Sequence, residues 1–474
     1  MNFMKPLNPN RADILLMFTR TPAVKLVNKE LEYYQSDDEK LIGFISVDLE
    51  DKTYHAMLFD RNSLGQYQIV DMSLDHETID EARNSLSEMM VNYVRDDNEL
   101  KKAGKATDFY TLVADKKQIH PNFMRLKDEG FFAAAKKVIE EVGYHHVDID
   151  GNFTDQLQSI NGFDARIWEL YLWCYFREEN FEFDTKHNAP DFMLQKLGEE
   201  VAVEAVHIKR TQGIDEQMAQ MDFGTVLEKL RNEMPLMFGS PLFSKLKHEY
   251  QSQKYWELPH VKGKPLVFAI ADFHADMSMT WSFPAIISIL YGIEQTAEKD
   301  EDGQVTLVNA SGNRFTKKKD VEIVPLFLDE QFKHVSAVLF TPCGTISKFN
   351  RMGVQAGYGN SSYTLFQVKM CYNHLRNAIL PNVFFNVVDE NSRETWADGI
   401  QIFHNPMAEI PLNPGLFPHA GHHFFKDGLL FSDMPQNSII SSTTWNIKNV
   451  PGKMENFSIQ TKETFDQLMR QFNL

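Results

Sequence analysis

Hydrophobic and polar residues alternate along 28–73, in short runs separated by turn-forming residues at 51–52 and 62–65. Alternation with a period of two is typical of strands that bury one face, so this stretch predicts an antiparallel meander. A helix should follow, capped within 73–75 and running to about Val94, because apolar residues recur there every three or four positions. With a second helix predicted near 131–142, residues 1–150 should form an accessory α+β region.

The middle of the chain changes pattern. Its predicted elements are a helix over 164–178, strands at 181–184, 191–195 and 201–208, a helix near 241–253 and a strand at 265–272. The last of these strands is almost entirely apolar, which favours a central position with helices on both faces. We therefore predict an α/β core over residues 151–295, in the order helix, three strands, helix, strand.

The remaining residues, 296–474, predict a mixed, β-rich region. Strands are expected at 322–328, at 335–341, in FFNVV and in IQIFHNP, with a turn-rich stretch at 348–360 and a helix over 462–472.

Composition limits the function classes. The formal net charge is −18, whereas proteins that grip duplex nucleic acid along its backbone usually carry a basic stripe. Any basic surface must therefore be local. Three widely spaced cysteines fit neither a disulfide framework nor a zinc ribbon and favour a reducing cytoplasm. No segment reaches the roughly 18 uninterrupted apolar residues of a membrane span, so we expect no membrane partner.

Three acidic residues stand in strongly apolar surroundings. Glu169 lies in the aromatic helix, Asp191 follows Pro190 at a strand start, and Glu204 lies within VAVEAVHI. Carboxylates are costly in such places unless a base or a metal ion meets them. Antiparallel pairing of 191–195 with 201–208 would bring Asp191 and Glu204 onto one face. Converging carboxylates suit Mg²⁺ or Mn²⁺. Alternatively, Glu169 pairs with Arg166 or with a buried tyrosine, or Asp191 is a turn or strand-edge residue.

These residues resemble the PD-(D/E)XK, restriction-endonuclease-like, nuclease superfamily. The pair Pro190-Asp191, Glu204 thirteen positions later in an apolar strand, and an earlier helical glutamate at 169 follow the family pattern, as does the predicted order of elements. The resemblance implies that Asp191, Glu204 and Glu169 hold Mg²⁺ or Mn²⁺ during metal-dependent phosphodiester hydrolysis. The substrate it implies is DNA in preference to RNA, in restriction, repair or defence.

The chain departs from the family at position 206, where Val206 replaces the usual lysine. In this superfamily the lysine can come from elsewhere, often from the following helix. Lys245 is the best candidate for that catalytic role, and Lys209 is the second. Lys209, Arg210, Lys348 and Arg351 could supply the local basic surface for nucleic acid.

Two rival interpretations stay open. Val206 and the net charge of −18 also fit a catalytically inactive nuclease fold kept as a nucleic-acid-binding or assembly module. A hydrolase could instead use the histidines of HAGHH (His419, His422 and His423), if they converge with Asp272 or Asp276, although a surface histidine loop is the simpler interpretation. A nuclease that cuts two strands would favour a homodimer or a partner protein.

Overall fold

The structure of the 474-residue chain is a computed structural model. It describes residues 4–113, 118–146, 151–211, 223–299, 305–311, 315–317, 321–375, 378 and 380–449. These residues group into two compact units. The first contains those within 1–163, 346–363 and 388–394, and the second those within 164–345, 364–387 and 395–474. Among the described residues, no helix combines the length and apolar character needed to cross a membrane.

The first unit is built on a five-stranded antiparallel sheet whose spatial order follows the chain. Its strands are β1 (Met4–Pro6), β2 (Asn28–Ser36), β3 (Ile42–Asp48), β4 (Tyr54–Arg61) and β5 (Tyr67–His76). Its helices up to residue 158 are α1 (Pro9–Leu16), α2 (Pro22–Val27), α3 (Ile79–Asn92), α4 (Pro121–Asp128), α5 (Ala133–Gly143) and α6 (Phe153–Gln158). The meander predicted over 28–73 is therefore present.

The N-cap of α3 differs from the prediction. Residues 73–75 do not cap the helix, because β5 continues through them to His76. Thr78 is the cap: its hydroxyl accepts the Glu81 N–H, and the Glu81 carboxylate accepts the Thr78 N–H in return. This reciprocal pair is a capping box, which satisfies two otherwise unpaired backbone donors.

The second unit is organised around an eight-stranded mixed sheet. Its strands are β6 (Glu182–Phe183), β7 (Phe192–Lys196), β8 (Glu199–Ile208), β9 (Leu266–Asp272), β14 (Ala337–Phe340), β17 (Gln401–His404), β18 (Gly421–Lys426) and β19 (Leu429–Asp433). The spatial order is β19-β18-β17-β14-β9-β8-β7-β6. The sheet thus includes strands from both the 151–295 and the 296–474 regions.

The predicted middle elements appear in the predicted order. Helix α7 (Phe163–Glu178) precedes β6, β7 and β8, which pair as antiparallel neighbours. Helices α8 (Phe223–Asn232) and α9 (Met234–Lys247) then lead to β9, which runs parallel to β8. Helix α9 begins well before Pro241, because Pro235 fits its first turn, and it ends six residues earlier than predicted, where His248 turns extended.

Strand β9 is buried along its whole length, as its apolar sequence predicts. Residues of β8, α9, β9 and α10 (Phe283–Tyr291) form one large apolar core, which includes Val206, Leu242, Leu246, Phe268 and Ile289. This core fixes α9 against β8, and that contact positions the site described below.

Smaller sheets complete the second unit. They pair β10 (Ile293–Lys299) with β11 (Val305–Ser311), β12 (Phe315–Lys317) with β13 (Val321–Ile323), and β15 (Tyr363–Cys371) with β16 (Asn382–Val388) and β20 (Ile439–Lys448). The strand predicted at 322–328 stops at Ile323, and a 3₁₀ turn follows at Leu326–Leu328. The helix predicted over 462–472 lies outside the described residues.

The stretch 348–360 was expected to be turn-rich, and this expectation is wrong. Residues Ile346–Gly353 form helix α11 in the first unit. Gly353 allows close packing instead of a turn, since a Cβ there would lie 2.6 Å from the Ala134 carbonyl oxygen. Asn350 strengthens the same contact by accepting the Ala135 N–H (3.1 Å) and donating to the Phe131 carbonyl (2.8 Å).

Candidate active site

Asp191 lies directly before β7, and His260 contacts the loop that precedes it. The His260 ring donates through Nε2 to the Ala189 carbonyl at 2.6 Å and stacks on the His187 ring, with 3.8 Å between centroids. The Ala189–Pro190 peptide bond in this loop is cis. These contacts fix where the chain enters β7.

Asp191 and Glu204 meet across the β7–β8 ladder. Phe192 pairs with Val203, so the next positions outward are Asp191 and Glu204. Asp191 Oδ2 accepts the Ala205 N–H at 2.7 Å, and the Asp191 N–H donates to Glu204 Oε2 at 3.3 Å. The structure therefore brings the two carboxylates together in the way that antiparallel pairing predicts.

Asp191 combines accessible surface with a perturbed pKa. The residue is exposed, yet desolvation of its carboxylate by surrounding protein, together with the neighbouring Glu204 charge, raises its pKa above the usual value. Both observations fit a carboxylate that water reaches from one side while protein atoms surround the others. Such perturbed carboxylates are concentrated at functional sites.

Glu204 is almost completely buried, and its Oε1 receives two donors. The Tyr255 hydroxyl donates to it at 2.9 Å, and the Lys245 ammonium forms an ion pair with the same oxygen. The Glu204 side chain is 4% exposed, whereas that of Lys245 is 33% exposed. A buried carboxylate is thus neutralised by a cation that keeps contact with water.

Helix α9 delivers Lys245 to this point in its last turn. Val206, two positions after Glu204, belongs to the apolar core that includes Leu242 and Leu246 of α9. Burial alone would lower the pKa of Lys245, but the carboxylates of Glu204, Asp191 and Glu169 raise it above its usual value. Lys245 is therefore a cation at neutral pH.

His207 follows on the same strand. Its burial and the charges of Lys209, Lys245 and Arg166 lower its pKa to about 4. The ring is therefore neutral at physiological pH, which places the positive charge of this cluster on lysine and arginine.

Glu169 pairs with Arg166 on α7, at 2.5 Å between Oε2 and Nη1. This is the simple pairing that the sequence left open. Glu169 remains close enough to Lys245 to raise its pKa. Within the ranges that the structure describes, no cluster of three or more His, Cys, Asp or Glu side chains is arranged to hold a metal ion.

The donors present nevertheless fit a magnesium ion. Mg²⁺ prefers hard oxygen ligands and is commonly held by one or two carboxylates, with waters and substrate phosphates completing its coordination. The adjoining Asp191 and Glu204 carboxylates supply such a pair. Glu169 binds Arg166 through Oε2, so coordination of a metal ion through that oxygen would require a change in that pair.

No family model, curated protein or solved structure matches this chain.

The expected basic surface is only partly present. Lys348 and Arg351 are buried and bind Glu394 through three contacts of 2.7–2.8 Å, so they are not part of an exposed surface. Arg210 pairs with Asp276 at 2.7 Å. Lys209 is exposed just beyond the end of β8.

The histidine loop prediction is wrong for His422 and His423, which are buried in β18. His422 donates from Nε2 to the Phe417 carbonyl at 3.0 Å, so its Nδ1 accepts from His404 Nε2 at 2.9 Å. His423 donates from Nε2 to Gln401 Oε1 (3.0 Å) and accepts the Ser432 hydroxyl (2.8 Å).

The acids proposed as partners of these histidines are engaged elsewhere. Asp272 binds His274 at 2.7 Å, Asp276 binds Arg210, and His419 pairs with Glu179 at 3.0 Å. The geometry therefore gives no support to a hydrolase built on the HAGHH histidines.

Sequence reasoning missed Tyr255 and His260. Tyr255 lies in a 3₁₀ turn, Tyr255–Glu257, and His260 in the loop that follows. Neither belongs to a periodic pattern or a motif, and only the folded chain brings them to Glu204 and Ala189. The signal available was weak: a tyrosine and a histidine between a predicted helix and a buried strand.

Proposed function

We propose that this protein is a metal-dependent phosphodiester hydrolase of restriction-endonuclease-like type. Asp191 and Glu204 hold the metal ion, Lys245 acts on the water or on the phosphate, and DNA is the preferred substrate over RNA. The core order of helix, three strands, helix and strand supports the proposal, as does the antiparallel β7–β8 pair beside a parallel β9.

The observation that carries the proposal is the contact between Lys245 and Glu204. A buried carboxylate needs a partner in any fold, but here the partner is a cation that keeps contact with water. Here a lysine from the next helix reaches the strand glutamate although position 206 is a buried valine. This supports a site that keeps two carboxylates and a lysine together.

The raised pKa of Lys245 indicates its role. A lysine that stays protonated at neutral pH is a hydrogen-bond donor and a point charge, not a general base. Lys245 would orient the attacking water or stabilise negative charge on the phosphate oxygens, which is usually the largest catalytic contribution in such sites. A bound Mg²⁺ supplies a water of lowered pKa and neutralises phosphate charge.

Glu204 and Asp191 have different surroundings, and this suggests a division of labour. Tyr255 holds Glu204 Oε1 at 2.9 Å, and the side chain is fixed inside the protein. Asp191 is accessible to water and lies at the open side of the pair. A phosphate that enters the site would therefore meet Asp191 and the water-exposed Lys245 first.

A non-catalytic nucleic-acid-binding or assembly module is the second candidate. Two observations favour its assembly form over nucleic-acid binding: the net charge of −18, and the burial of Lys348 and Arg351, which removes two cations from the expected binding surface. Such a module would bind nucleic acid or a partner protein without cutting.

The experiment that tests the proposal is cleavage of plasmid and single-stranded DNA and of RNA by the purified protein with Mg²⁺, Mn²⁺ or EDTA. Asp191→Ala and Glu204→Ala should abolish metal-dependent cutting. Glu200→Ala is the matched control, because Glu200 lies on the same strand as Glu204 and pairs with Lys264 at 2.9 Å. Cutting that survives both site variants, or that EDTA does not stop, would overturn the proposal.

A further inference from the structure

Three groups donate hydrogen bonds to the oxygens of Glu204. Oε1 binds the Lys245 ammonium and the Tyr255 hydroxyl, and Oε2 accepts the Asp191 N–H. A cation that binds Glu204 must share these oxygens with the present donors or displace one of them. The identity of the displaced group therefore determines how a metal ion can bind at this site.

Lys245 is the donor that is free to leave. Tyr255 is 3% exposed and belongs to the apolar core, and the Asp191 N–H is fixed by the backbone before β7. The Lys245 side chain is 33% exposed, and it extends from the last turn of α9 on a four-carbon stem. Moving its ammonium outward exposes a charge to water, whereas moving Tyr255 would open the core.

Electrostatic repulsion also favours the departure of Lys245 from Glu204. An ammonium and a divalent cation on one carboxylate repel each other strongly in surroundings of low dielectric constant. The two positive charges therefore repel each other at Glu204, and withdrawal of the partly exposed ammonium towards solvent relieves that repulsion. The open side is also the side from which a negatively charged substrate would approach Asp191.

We propose that Lys245 is an internal competitor of the metal ion: it occupies Glu204 until a divalent cation binds, and it is then released towards the substrate phosphate. This inference rests on the proposed function and adds its regulation. Binding of the metal ion and release of the Lys245 ammonium towards the phosphate are therefore coupled. An internal group that occupies a metal ligand lowers the apparent affinity of the site for the metal. The affinity falls in proportion to the fraction of time for which the ligand is unoccupied.

The test is a calorimetric titration of the full-length protein with Mn²⁺, for wild type, Lys245→Met and Lys247→Met. Lys247 is the matched control, because it lies two residues away in the same helical turn and is exposed. We expect Lys245→Met to bind Mn²⁺ at least about tenfold more tightly than wild type, and Lys247→Met to be unchanged. A lysine with only a structural role would give the opposite sign, since losing it would loosen the site.

Lys245→Gln serves as a second variant if the methionine variant misfolds, which circular dichroism would reveal. Affinity for Mn²⁺ that is equal or weaker in both Lys245 variants overturns the competition. If wild type cuts DNA and the variants bind no tighter, the nuclease survives and the competitor role fails. If the variants bind tighter but wild type never cuts, the competitor role stands and the hydrolase proposal fails; binding by none of the proteins overturns both.

Discussion

Lys245 and Glu204 lie 41 positions apart in the sequence and meet at a single carboxylate oxygen. Their meeting depends on the packing of α9 over β8, where Val206 and Leu246 belong to the same core. A valine at 206 strengthens that packing and leaves no lysine on the strand itself. The cation therefore reaches the acidic pair from the helix, at the edge of the core and within reach of water.

Removing the carboxylate from a buried ionic cluster in the first unit should destabilise that unit. Burial disfavours a charged Glu394, but Arg351 and Lys348 outweigh that cost and lower its pKa to about 2. Glu394→Gln would leave two buried cations without their carboxylate. We expect the free energy of unfolding to fall by about 3–5 kcal/mol, measured by urea denaturation at pH 7.

The control for this variant is Glu390→Gln, an exposed glutamate four residues away. It should change the free energy of unfolding by less than about 0.5 kcal/mol. Equal stability of the two variants would show that Lys348 and Arg351 do not depend on Glu394.

The buried histidines of β17 and β18 should make the protein sensitive to acid. Burial lowers the pKa of both His404 and His423 to about 3. Their unfolded-state pKa is near 6.5, so the unfolded chain takes up protons first as the pH falls. The stability these neutral rings provide is present above about pH 6.5 and is lost below it, at about 2 kcal/mol for each ring at pH 5.

His423→Gln isolates one of these rings. At pH 7.5 it should be less stable than wild type, because it loses the geometry of the bonds to Gln401 and Ser432. The difference should shrink or reverse by pH 5, in urea denaturation at both pH values. His374→Gln, at an exposed position, is the control; a difference for His423→Gln that does not vary with pH would contradict the assignment.

How far the sequence predicts this molecule differs between its parts. Helix α7 and strands β7, β8 and β9 follow local periodic patterns, which are readable without tertiary information. The glycines of 348–360 instead suggested turns. One of them, Gly353, serves close packing of two helices, and only the folded chain shows this.

The candidate site likewise contains residues that the sequence predicts and residues that only the folded chain reveals. Asp191 and Glu204 could be paired from strand register alone, because neighbouring antiparallel strands bring fixed positions together. Tyr255 and the pairing of Lys348 and Arg351 with Glu394 depend on tertiary contacts that no pattern encodes. Proline and glycine before His422 and His423 suggest a loop, yet pairing with β17 and β19 makes that segment a strand.

Lys209 should contribute to nucleic-acid binding more than its neighbour does. It is exposed, whereas Arg210 is already paired with Asp276. Lys209→Ala should weaken DNA binding similarly for all sequences and reduce the slope of log affinity against log salt by about one. Fluorescence anisotropy in EDTA at several salt concentrations measures both quantities.

The comparison variant is Lys262→Ala. Lys262 is an exposed lysine before β9, at the end of the β8–β9 pair opposite to Lys209. It should leave the salt slope unchanged. Equal effects of the two substitutions would indicate diffuse charge attraction in place of a contact at Lys209.

The most direct measurement is the single-turnover rate of DNA cleavage with Mg²⁺ for wild type, Lys245→Ala and Lys247→Ala. The two lysines share the last turn of α9, but only Lys245 contacts Glu204. We expect Mg²⁺-dependent cutting that falls at least about 100-fold in Lys245→Ala and stays within about threefold of wild type in Lys247→Ala. Equal rates in the two variants, or no cutting by wild type under conditions where it binds Mg²⁺ and DNA, would contradict it.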